Sequence, residues 1–179
     1  LRANNLTVNE QKCIWKVSEV TFYGHVISEE GIKPTVSKVA AINAFPSPRS
    51  TKEVSSFIGM VTYLARFIPN LSTETAPLRN LLRKEVPWKW GKEEEEAFRR
   101  LKELVSSSKV VAHFNQSLDT ALIVDAGKVG LGAILVQTQE DNTVKPVSFA
   151  SKTLTSQECK YSQTEKEALA VIWACEKFH

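Results

Sequence analysis

The sequence predicts an α+β fold in which strands lie near both ends and helices occupy the middle of the chain. Three observations support this prediction. Apolar and polar residues alternate over residues 17–27, apolar residues recur at helical spacing over residues 54–68, and two apolar runs flank a glycine-containing hinge over residues 121–136. Alternation is typical of a half-buried strand, whereas a spacing of three or four residues marks one face of a helix.

The first element is a strand pair over residues 17–27 that ends at the polar sequence Glu29-Glu30-Gly31. A short helix is predicted next, from residue 35 or 37 through Ala44. The sequence Pro46-Ser47-Pro48 ends this helix, because proline has no amide proton and restricts the residue before it.

Three further helices are predicted in the middle of the chain. Ser50 and Glu53 have capping-box spacing and precede the apolar face of residues 54–68. A third helix is predicted over residues 72–83. The fourth covers residues 93–105, where four glutamates occupy the first turn and interact favourably with the helix dipole.

Two carboxylates in the last part of the chain suit a divalent metal. Residues 106–119 are predicted to be an irregular linker, after which Asp125 closes an apolar run that predicts a strand. Glu167 opens a helix over residues 167–174. A rigid strand and a packed helix can bring two carboxylates to one point, and Mg²⁺ prefers such hard oxygen ligands.

Glu165 competes with Glu167 for this role, since only two positions separate them. Two residues apart on a helix point about 200° from each other, so one of the pair faces the strand that carries Asp125. Glu167 shares a face with Val171 and Ala174, which are apolar. We therefore expect Glu167 to face the sheet and Glu165 to face solvent.

The composition is that of a globular protein, with 42% hydrophobic and 24% charged residues among 179. No apolar run approaches the roughly 20 residues that span a bilayer, and no signal peptide is evident. Residues 1–10 are already mid-pattern, so we expect a segment of a longer protein. The cysteines, Cys13, Cys159 and Cys175, are odd in number and widely spaced. This pattern predicts buried free thiols in a reducing, intracellular compartment rather than disulfides or a zinc site.

Charge is distributed unevenly along the chain. Residues 35–102 hold 12 Lys and Arg against 7 Glu, a net of +5, whereas residues 117–179 hold 6 basic and 8 acidic residues, a net of −2. A basic middle suits a polyanion such as nucleic acid, and an acidic end suits a metal site. Ordinary solvated helix faces would give the same counts, and charge alone favours that explanation.

Five sequence blocks together resemble one family. VDAGKVGLGAILVQ, KPVSFASKTLT and KYSQTEKEALAVIWACEKF resemble the start of the ribonuclease H domain of gypsy-type LTR-retrotransposon polyproteins. TFYGHVISEEGIKP resembles the end of the reverse-transcriptase palm with its primer grip. KVAAINAFPSPRSTKEVSSFIGMVTYLARFIPNLSTETAPLRNLL resembles the thumb that follows it. The blocks occur in the order of the family and cover nearly the whole chain.

This resemblance implies three parts. Residues 1–34 would be the end of the palm, residues 35–116 the helical thumb and linker, and residues 117–179 the first part of a ribonuclease H-like domain with a mixed sheet and a packed helix. A related fold, the connection domain of some retroviral enzymes, has the same topology without working carboxylates. The presence of both Asp125 and Glu167 argues against a connection domain.

The resemblance also implies residues that hold primer–template duplex or RNA–DNA hybrid. These are the primer-grip residues Phe22, Tyr23, Gly24 and His25, with Gly59 and Arg66 of the thumb. A hairpin with a buried aromatic residue is the alternative for the first four, and simple packing is the alternative for the thumb residues. Trp88 and Trp90 suggest base stacking, but a hydrophobic staple at a helix start is the preferred interpretation.

For catalysis, the resemblance implies that two metal ions, Mg²⁺ or alternatively Mn²⁺, cut the RNA strand of a hybrid. Asp125 would bridge the ions and Glu167 would hold one of them. The family uses two further acids from later segments, and the polymerase aspartates would lie before Leu1, so this segment alone is predicted to be inactive. The sequence Val124-Asp125-Ala126-Gly127 also departs from the common Thr-Asp-Ala-Ser.

The expected partners are nucleic acid and the remainder of the polyprotein, without a membrane. A cytoplasmic virus-like particle and the nucleus both remain open as locations. The alternative function is a transposon-derived, non-enzymatic nucleic-acid-binding or scaffolding protein in which Asp125 and Glu167 are relics.

Overall fold

The computed structural model describes residues 2–4, 6–108 and 110–179, and it confirms the α+β class. Two three-stranded antiparallel sheets flank a helical middle. The strands are β1 (Glu19–Phe22), β2 (His25–Ser28), β3 (Gly31–Pro34), β4 (Thr120–Ala126), β5 (Gly130–Thr138) and β6 (Val144–Thr153). The helices are α1 (Val36–Asn43), α2 (Thr51–Tyr63), α3 (Leu71–Glu74), α4 (Ala76–Asn80), α5 (Lys92–Ser106) and α6 (Gln163–Lys177). Among the described residues, no helix is both long and apolar enough to cross a membrane.

The first sheet contains a strand that the sequence pattern did not predict. β1 and β2 pair from Glu19 with Ser28 to Phe22 with His25, as expected for a hairpin. β3 then pairs antiparallel with β2, with Ser28 opposite Gly31. The strand pair therefore continues beyond Glu29-Glu30 into a meander, and the polar sequence forms a turn rather than an end.

Capping fixes where the long helices begin. The Ser50 hydroxyl accepts a hydrogen bond from the Glu53 amide at 3.3 Å, and the Glu53 carboxylate accepts one from the Arg49 amide at 2.7 Å. Before α5, the Gly91 amide donates to the Glu94 carboxylate at 2.9 Å. These bonds satisfy amides that have no partner within the helix.

The predicted third helix over residues 72–83 is two short helices. α3 ends at Glu74, and α4 begins at Ala76 with Pro77 in its first turn. Pro77 has no amide proton to donate to the carbonyl four residues earlier, so a continuous helix loses a hydrogen bond at this position. α2 is likewise shorter than predicted, ending at Tyr63 before a 3-10 turn over Ala65–Phe67.

One apolar core fills the helical middle. Its buried members come from α1 to α5, from the segments between them and from the segment after α5: Ile42, Val54, Phe57, Ile58, Val61, Leu64, Phe67, Ile68, Leu71, Leu78, Leu81, Ala97, Phe98, Leu101, Val105 and Val111. Ile32 of β3 and Phe149 of β6 pack against this core, so both sheets are anchored to it.

The second sheet packs against α6. β4 pairs with β5 from Thr120 with Gln137 to Ala126 with Leu131, and β5 pairs with β6 with a bulge between Leu135 and Val136. Ala126, Leu131, Leu154 and Ala170 form a small buried cluster between the sheet and α6.

The segment expected to be an irregular linker joins the two sheets. Val111 exchanges both backbone hydrogen bonds with Ile32, at 2.8 and 2.9 Å, and the Ala112 amide donates to the Pro146 carbonyl at 2.8 Å. His113 Nε2 lies 2.7 Å from the Ser28 carbonyl. Val111 is fully buried. The described part of the linker is therefore irregular, as predicted, but Val111 and Ala112 bond it to both sheets.

The three cysteines are free thiols, as the sequence predicts, but the expectation that they are buried is wrong for two of them. Cys159 and Cys175 are exposed, and Cys13 is half-buried. Cys175 lies on the solvent side of α6, next to the buried Ala174. Apolar character alone does not determine which side of a helix a cysteine occupies.

We predict that Gly31→Ala destabilises the chain by about 2–4 kcal/mol. Gly31 has φ of 134°, which other residues rarely adopt, and an added Cβ would overlap the Val111 carbonyl oxygen. Urea denaturation measures the loss. Gly59→Ala is the matched control, because nothing lies within 4 Å of its added Cβ. That helical substitution should be neutral or stabilise by about 0.5–1 kcal/mol. Equal stability of the two variants would contradict the assigned role of Gly31.

Candidate nucleic-acid interface and carboxylate pair

The turn between β1 and β2 projects from the protein surface. Tyr23 has φ of 45° and Gly24 has φ of 73°, so both residues occupy the left-handed region. The Phe22 and Tyr23 side chains are 58% and 77% exposed. Their rings meet edge to face with centroids 4.5 Å apart. The alternative of a hairpin that buries its aromatic residue therefore does not apply.

Tyr63, at the end of α2, binds this turn through a hydrogen bond and through ring stacking. Its hydroxyl donates a hydrogen bond to the Tyr23 carbonyl, and its ring stacks on that of His25 with centroids 5.3 Å apart and planes 6° from parallel. Lys38 of α1 lies over the Tyr63 ring, with Nζ 5.0 Å from the ring centroid. A Cβ at Gly24 would come within 3.0 Å of Lys38 Cε, so the absence of a side chain permits this packing.

A cavity of about 310 Å³ opens beside Tyr63 between α1 and α2. Its lining residues are Lys38, Ala41, Ile42, Gly59, Met60, Tyr63 and Leu64. Gly59 is exposed, and the space where its side chain would be is open. The predicted residue Gly59 is thus brought to the same surface as the turn at residues 22–25.

Arg66 lies on the 3-10 turn after α2 and completes a cationic surface. Its Nε is buried without a hydrogen-bond partner among the described residues, and its guanidinium lies 5.8 Å from the Phe67 ring centroid. Burial lowers the pKa of His25, and the positive charges of Arg66 and Lys38 lower it further. These two cations are therefore close enough to act on one imidazole.

We name the set formed by residues 22–25, Lys38, Gly59, Tyr63 and Arg66 the grip surface. Sequence reasoning missed Lys38 and Tyr63. Tyr63 follows Gly59 by four positions, which places both on one face of a helix and was a usable signal. Lys38 stands in the first turn of a short helix, where nothing in the sequence distinguishes it from an ordinary solvated lysine.

Asp125 lies on the exposed side of β4, with its side chain open to solvent. Its neighbours Val124 and Ala126 pack in the cluster beneath α6. Because successive side chains of a strand alternate between faces, Asp125 projects from the face of the sheet opposite α6. Across the strand pair, Asp125 is opposite Gly132.

Glu167 is half-buried at the edge of the α6 face that meets the sheet. Gln163 Nε2 donates to Glu167 Oε1 at 2.7 Å and to the Ala126 carbonyl at 2.7 Å. One amide group thus joins the Glu167 carboxylate to the strand end, one residue past Asp125. The two predicted carboxylates therefore lie near the same end of β4 but on opposite sides of the sheet, with Glu167 on the α6 side.

The buried face of α6 is centred on Lys166, Ala170 and Ala174. Ala174 is buried as expected, but Val171 is 49% exposed, so the expected face is rotated by about one residue. Glu165 is exposed, as predicted. Its carboxylate accepts hydrogen bonds at 2.8 Å from both the amide and the hydroxyl of Ser162, and these bonds lower the pKa of Glu165.

The donor set fits a hard divalent cation in type but not in number. Asp125 and Glu167 supply the oxygen ligands that Mg²⁺ and Mn²⁺ prefer. Within residues 2–4, 6–108 and 110–179, no three His, Cys, Asp or Glu side chains lie close enough together to hold a metal ion. Asp125 and Glu167 are therefore too few by themselves to form a metal site.

Trp88 and Trp90, the two tryptophans before α5, differ in how they pack. Trp90 Nε1 donates to Glu95 at 2.7 Å, and its ring meets the buried Phe98 edge-on at 5.9 Å. Trp90 therefore packs on its own helix, but its apolar partner is Phe98 rather than the fourth helical residue, Glu95, that a hydrophobic staple would use. Trp88 is 38% exposed and stacks on Trp90 with centroids 6.1 Å apart.

Comparison with known proteins identifies the family. Residues 90–179 match the family described as the RNase H-like domain found in reverse transcriptase. The chain belongs to this family. The matched residues begin upstream of the predicted domain start at residue 117, and that boundary stays a prediction.

Curated relatives of this RNase H-like chain are retrotransposon polyproteins. The Transposon Tf2-3 and Tf2-4 polyproteins of Schizosaccharomyces pombe are each 37% identical over 172 residues, which is 96% of this chain and 13% of theirs. The resemblance to gypsy-type polyproteins is thereby confirmed. The chain spans only a small part of these relatives.

Solved structures share the fold of this RNase H-like chain. A foamy viral protease-reverse transcriptase in complex with dsDNA has a TM-score of 0.76 at 23% identity, over 90% of this chain and 34% of that one. The same enzyme in complex with RNA/DNA hybrid has a TM-score of 0.75 at 23% identity, over 89% and 22%.

We predict that the stability of the chain falls as pH decreases below 6.5, in part because of His25. The folded pKa of His25 is lower than its unfolded value of 6.5. Below pH 6.5 the unfolded state therefore binds the proton more readily, and the stability present above that pH is lost as pH falls toward the folded pKa.

Urea denaturation between pH 7.5 and 5.5 measures this dependence. His25→Gln should show a flatter profile than the parent chain, because its side chain does not titrate. Parallel profiles for the two proteins would contradict the prediction.

Proposed function

We propose that the grip surface holds the backbone of a primer–template duplex or RNA–DNA hybrid. The observation that carries this proposal is the convergence of two cations, a projecting turn and an open glycine on one side of the protein. Lys38 and Arg66 supply positive charge beside Tyr63, and Gly59 lets a phosphate backbone come close. The foamy viral relatives in complex with dsDNA and with RNA/DNA hybrid support this proposal.

The chemistry of this surface suits duplex binding without sequence preference. Ammonium and guanidinium groups bind phosphate oxygens and displace condensed counterions. The exposed rings of Phe22 and Tyr23 offer apolar faces to sugars and terminal bases. Tyr63 fixes the turn through its hydrogen bond to the Tyr23 carbonyl, so these rings are held in place before any ligand binds.

We predict that the chain binds a labelled RNA–DNA hybrid weakly and that its affinity falls steeply with salt. Lys38→Ala and Arg66→Ala should each weaken binding several-fold at low salt. Each should also reduce the slope of log affinity against log salt by about 0.9, if each cation neutralises one phosphate. Fluorescence anisotropy at several salt concentrations measures both quantities.

Lys177→Ala is the matched control for this experiment. Lys177 is an exposed lysine in the last turn of α6, outside the grip surface. It should change neither the affinity nor the slope appreciably. The proposal is wrong if the control is as damaging as Lys38→Ala, or if the parent chain binds no hybrid at low salt.

The second part of the proposed function concerns the carboxylates. Asp125 and Glu167 would supply two ligands of a divalent metal site in the longer polyprotein, and further acids from the remainder of that protein would complete it. When bound, Mg²⁺ or Mn²⁺ would polarise the scissile phosphate and lower the pKa of a water molecule. Within this chain, Gln163 orients Glu167 by its hydrogen bond, and β4 holds Asp125 in the open.

We predict that this chain alone cleaves no hybrid, whereas the parent polyprotein cleaves hybrid RNA with Mg²⁺ or Mn²⁺. In the polyprotein, Asp125→Asn and Glu167→Gln should each reduce cleavage by about two orders of magnitude or more, because an amide keeps the shape and loses the ligand charge. Hybrid binding should remain near the parent level.

Glu165→Gln is the control for the carboxylate test. Glu165 is exposed and caps α6, and glutamine retains an oxygen for that cap. Cleavage should stay close to the parent level. If Asp125→Asn and Glu167→Gln leave cleavage intact, these carboxylates are not ligands of the cleavage site. If the parent polyprotein cleaves no hybrid, they are relics and the non-enzymatic alternative is favoured.

A further inference from the structure

The sheet that carries Asp125 contacts the helical middle through Phe149 and through a turn, residues 70–73. Asn70 begins α3 with a left-handed backbone of φ 50° and ψ 31°. Its side chain lies against β5, where the Asn70 amide oxygen occupies the space that a Cβ of Gly132 would need. Ser72 does the same over Gly130.

Two glycines of β5, Gly130 and Gly132, allow residues 70–73 to approach the sheet closely. We call this contact the seat. A Cβ at Gly132 would overlap Asn70 Oδ1, and one at Gly130 would overlap Ser72 Oγ and approach the Lys152 carbonyl at 3.1 Å. Both glycines are buried. Neither has the positive φ that would otherwise require glycine, so the close approach of the turn accounts for the missing side chains.

Polar contacts fix the turn on the adjacent strand as well. The Ser72 amide donates to the Ser151 hydroxyl of β6 at 3.0 Å. Ser72 is only 4% exposed, and its own hydroxyl lacks a hydrogen-bond partner among the described residues. Thr73 Oγ1 lies within ordinary contact, 3.8 Å, of the position of a Cβ at Gly127, in the hinge that follows β4.

The seat lies next to Asp125, the candidate metal ligand on β4. Gly132 is opposite Asp125 in the β4–β5 pair, and its other neighbour is Ser151 of β6. Paired residues of neighbouring strands project to the same face of a sheet. The turn therefore meets the sheet on the face from which Asp125 projects, and a displacement of β5 at Gly132 moves Asp125 through the strand ladder.

We propose that Asn70 and Ser72 are positioning residues that fix the carboxylate-bearing hairpin to the thumb as one rigid body. This inference rests on the proposed function, because it assigns the turn a role in setting the spacing between the grip surface and the site of RNA cleavage. The thumb, by holding the duplex, then determines where along the hybrid Asp125 acts.

The test adds a side chain at Gly132 and, in a second variant, removes the Asn70 side chain that it would meet. Gly132→Ala adds a methyl group against Asn70. Asn70→Gly removes that side chain and retains a residue suited to the left-handed backbone. The double variant Asn70→Gly/Gly132→Ala restores the space, because the third neighbour of the added Cβ is the Asp125 carbonyl oxygen at a comfortable 4.0 Å.

Spin labels report the seating directly. One label is placed on the exposed Cys159 after β6 and one on Lys52→Cys in the first turn of α2, with Cys13 and Cys175 replaced by Ser. Electron–electron distance measurements should give one narrow distribution in the parent chain and in the double variant. Gly132→Ala should give a shifted or broadened distribution. Ser148→Ala, on the opposite face of β6, should match the parent.

Cleavage in the parent polyprotein gives the second measurement. The RNA cuts, mapped from the primer 3′ end, should fall at a fixed spacing in the parent and in the double variant, and should spread or shift in Gly132→Ala. A merely structural role would lower the amount of cleavage without moving its position.

Two results would overturn the inference. One is a parent-like distance distribution in Gly132→Ala. The other is a distance distribution in the double variant that is as shifted or as broad as the one in Gly132→Ala. If Gly132→Ala does not fold, the Asn70→Gly variant tests the inference by itself. The gap left by the missing Asn70 side chain should broaden the distance distribution. An unchanged distribution in this variant would refute the inference. If the parent polyprotein cleaves no hybrid, the proposed function fails while the distance measurement still tests the seat.

Discussion

The apolar core of the helical middle holds the rest of the chain in place. α2 and α5 bury Phe57 and Phe98 against each other, with ring centroids 4.5 Å apart. The same core accepts Ile32 from the first sheet and Phe149 from the second. Two small sheets with little apolar interior of their own are therefore positioned by the helices between them. The grip surface and the carboxylate pair keep their geometry only while this core is intact.

Much of the fold could be predicted from the sequence, because periodicity and capping are local signals. Helix α2, with its Ser50 cap, and helix α5, with its acidic first turn, follow from such signals. Strand β3 could not be predicted in the same way. Its sequence, Gly31-Ile32-Lys33-Pro34, has a glycine and a proline and does not alternate clearly. Hairpin pairing with β2 and a bridge to Val111, which is distant in sequence, make it a strand.

The candidate site shows the same division. A family resemblance could select residues 22–25, Gly59 and Arg66, but only the folded chain brings them around Tyr63 and Lys38. The orientation of α6 was predicted one residue away from its observed value. Lys166 is buried where Val171 was expected, since a long aliphatic stem can pack on a sheet as a valine does. Polarity by itself does not identify the inward side of such a helix.

The segment between the helical middle and the second sheet limits where this region can accept insertions. A tether can lengthen or shorten freely, but Val111 and Ala112 are each bonded to a different sheet. An insertion there would shift one register relative to the other. The β5–β6 turn near Asn142, exposed and left-handed with φ of 61°, is a better place for added residues. Exchange of whole modules between related elements should therefore favour breakpoints on either side of Val111 and Ala112 rather than between them.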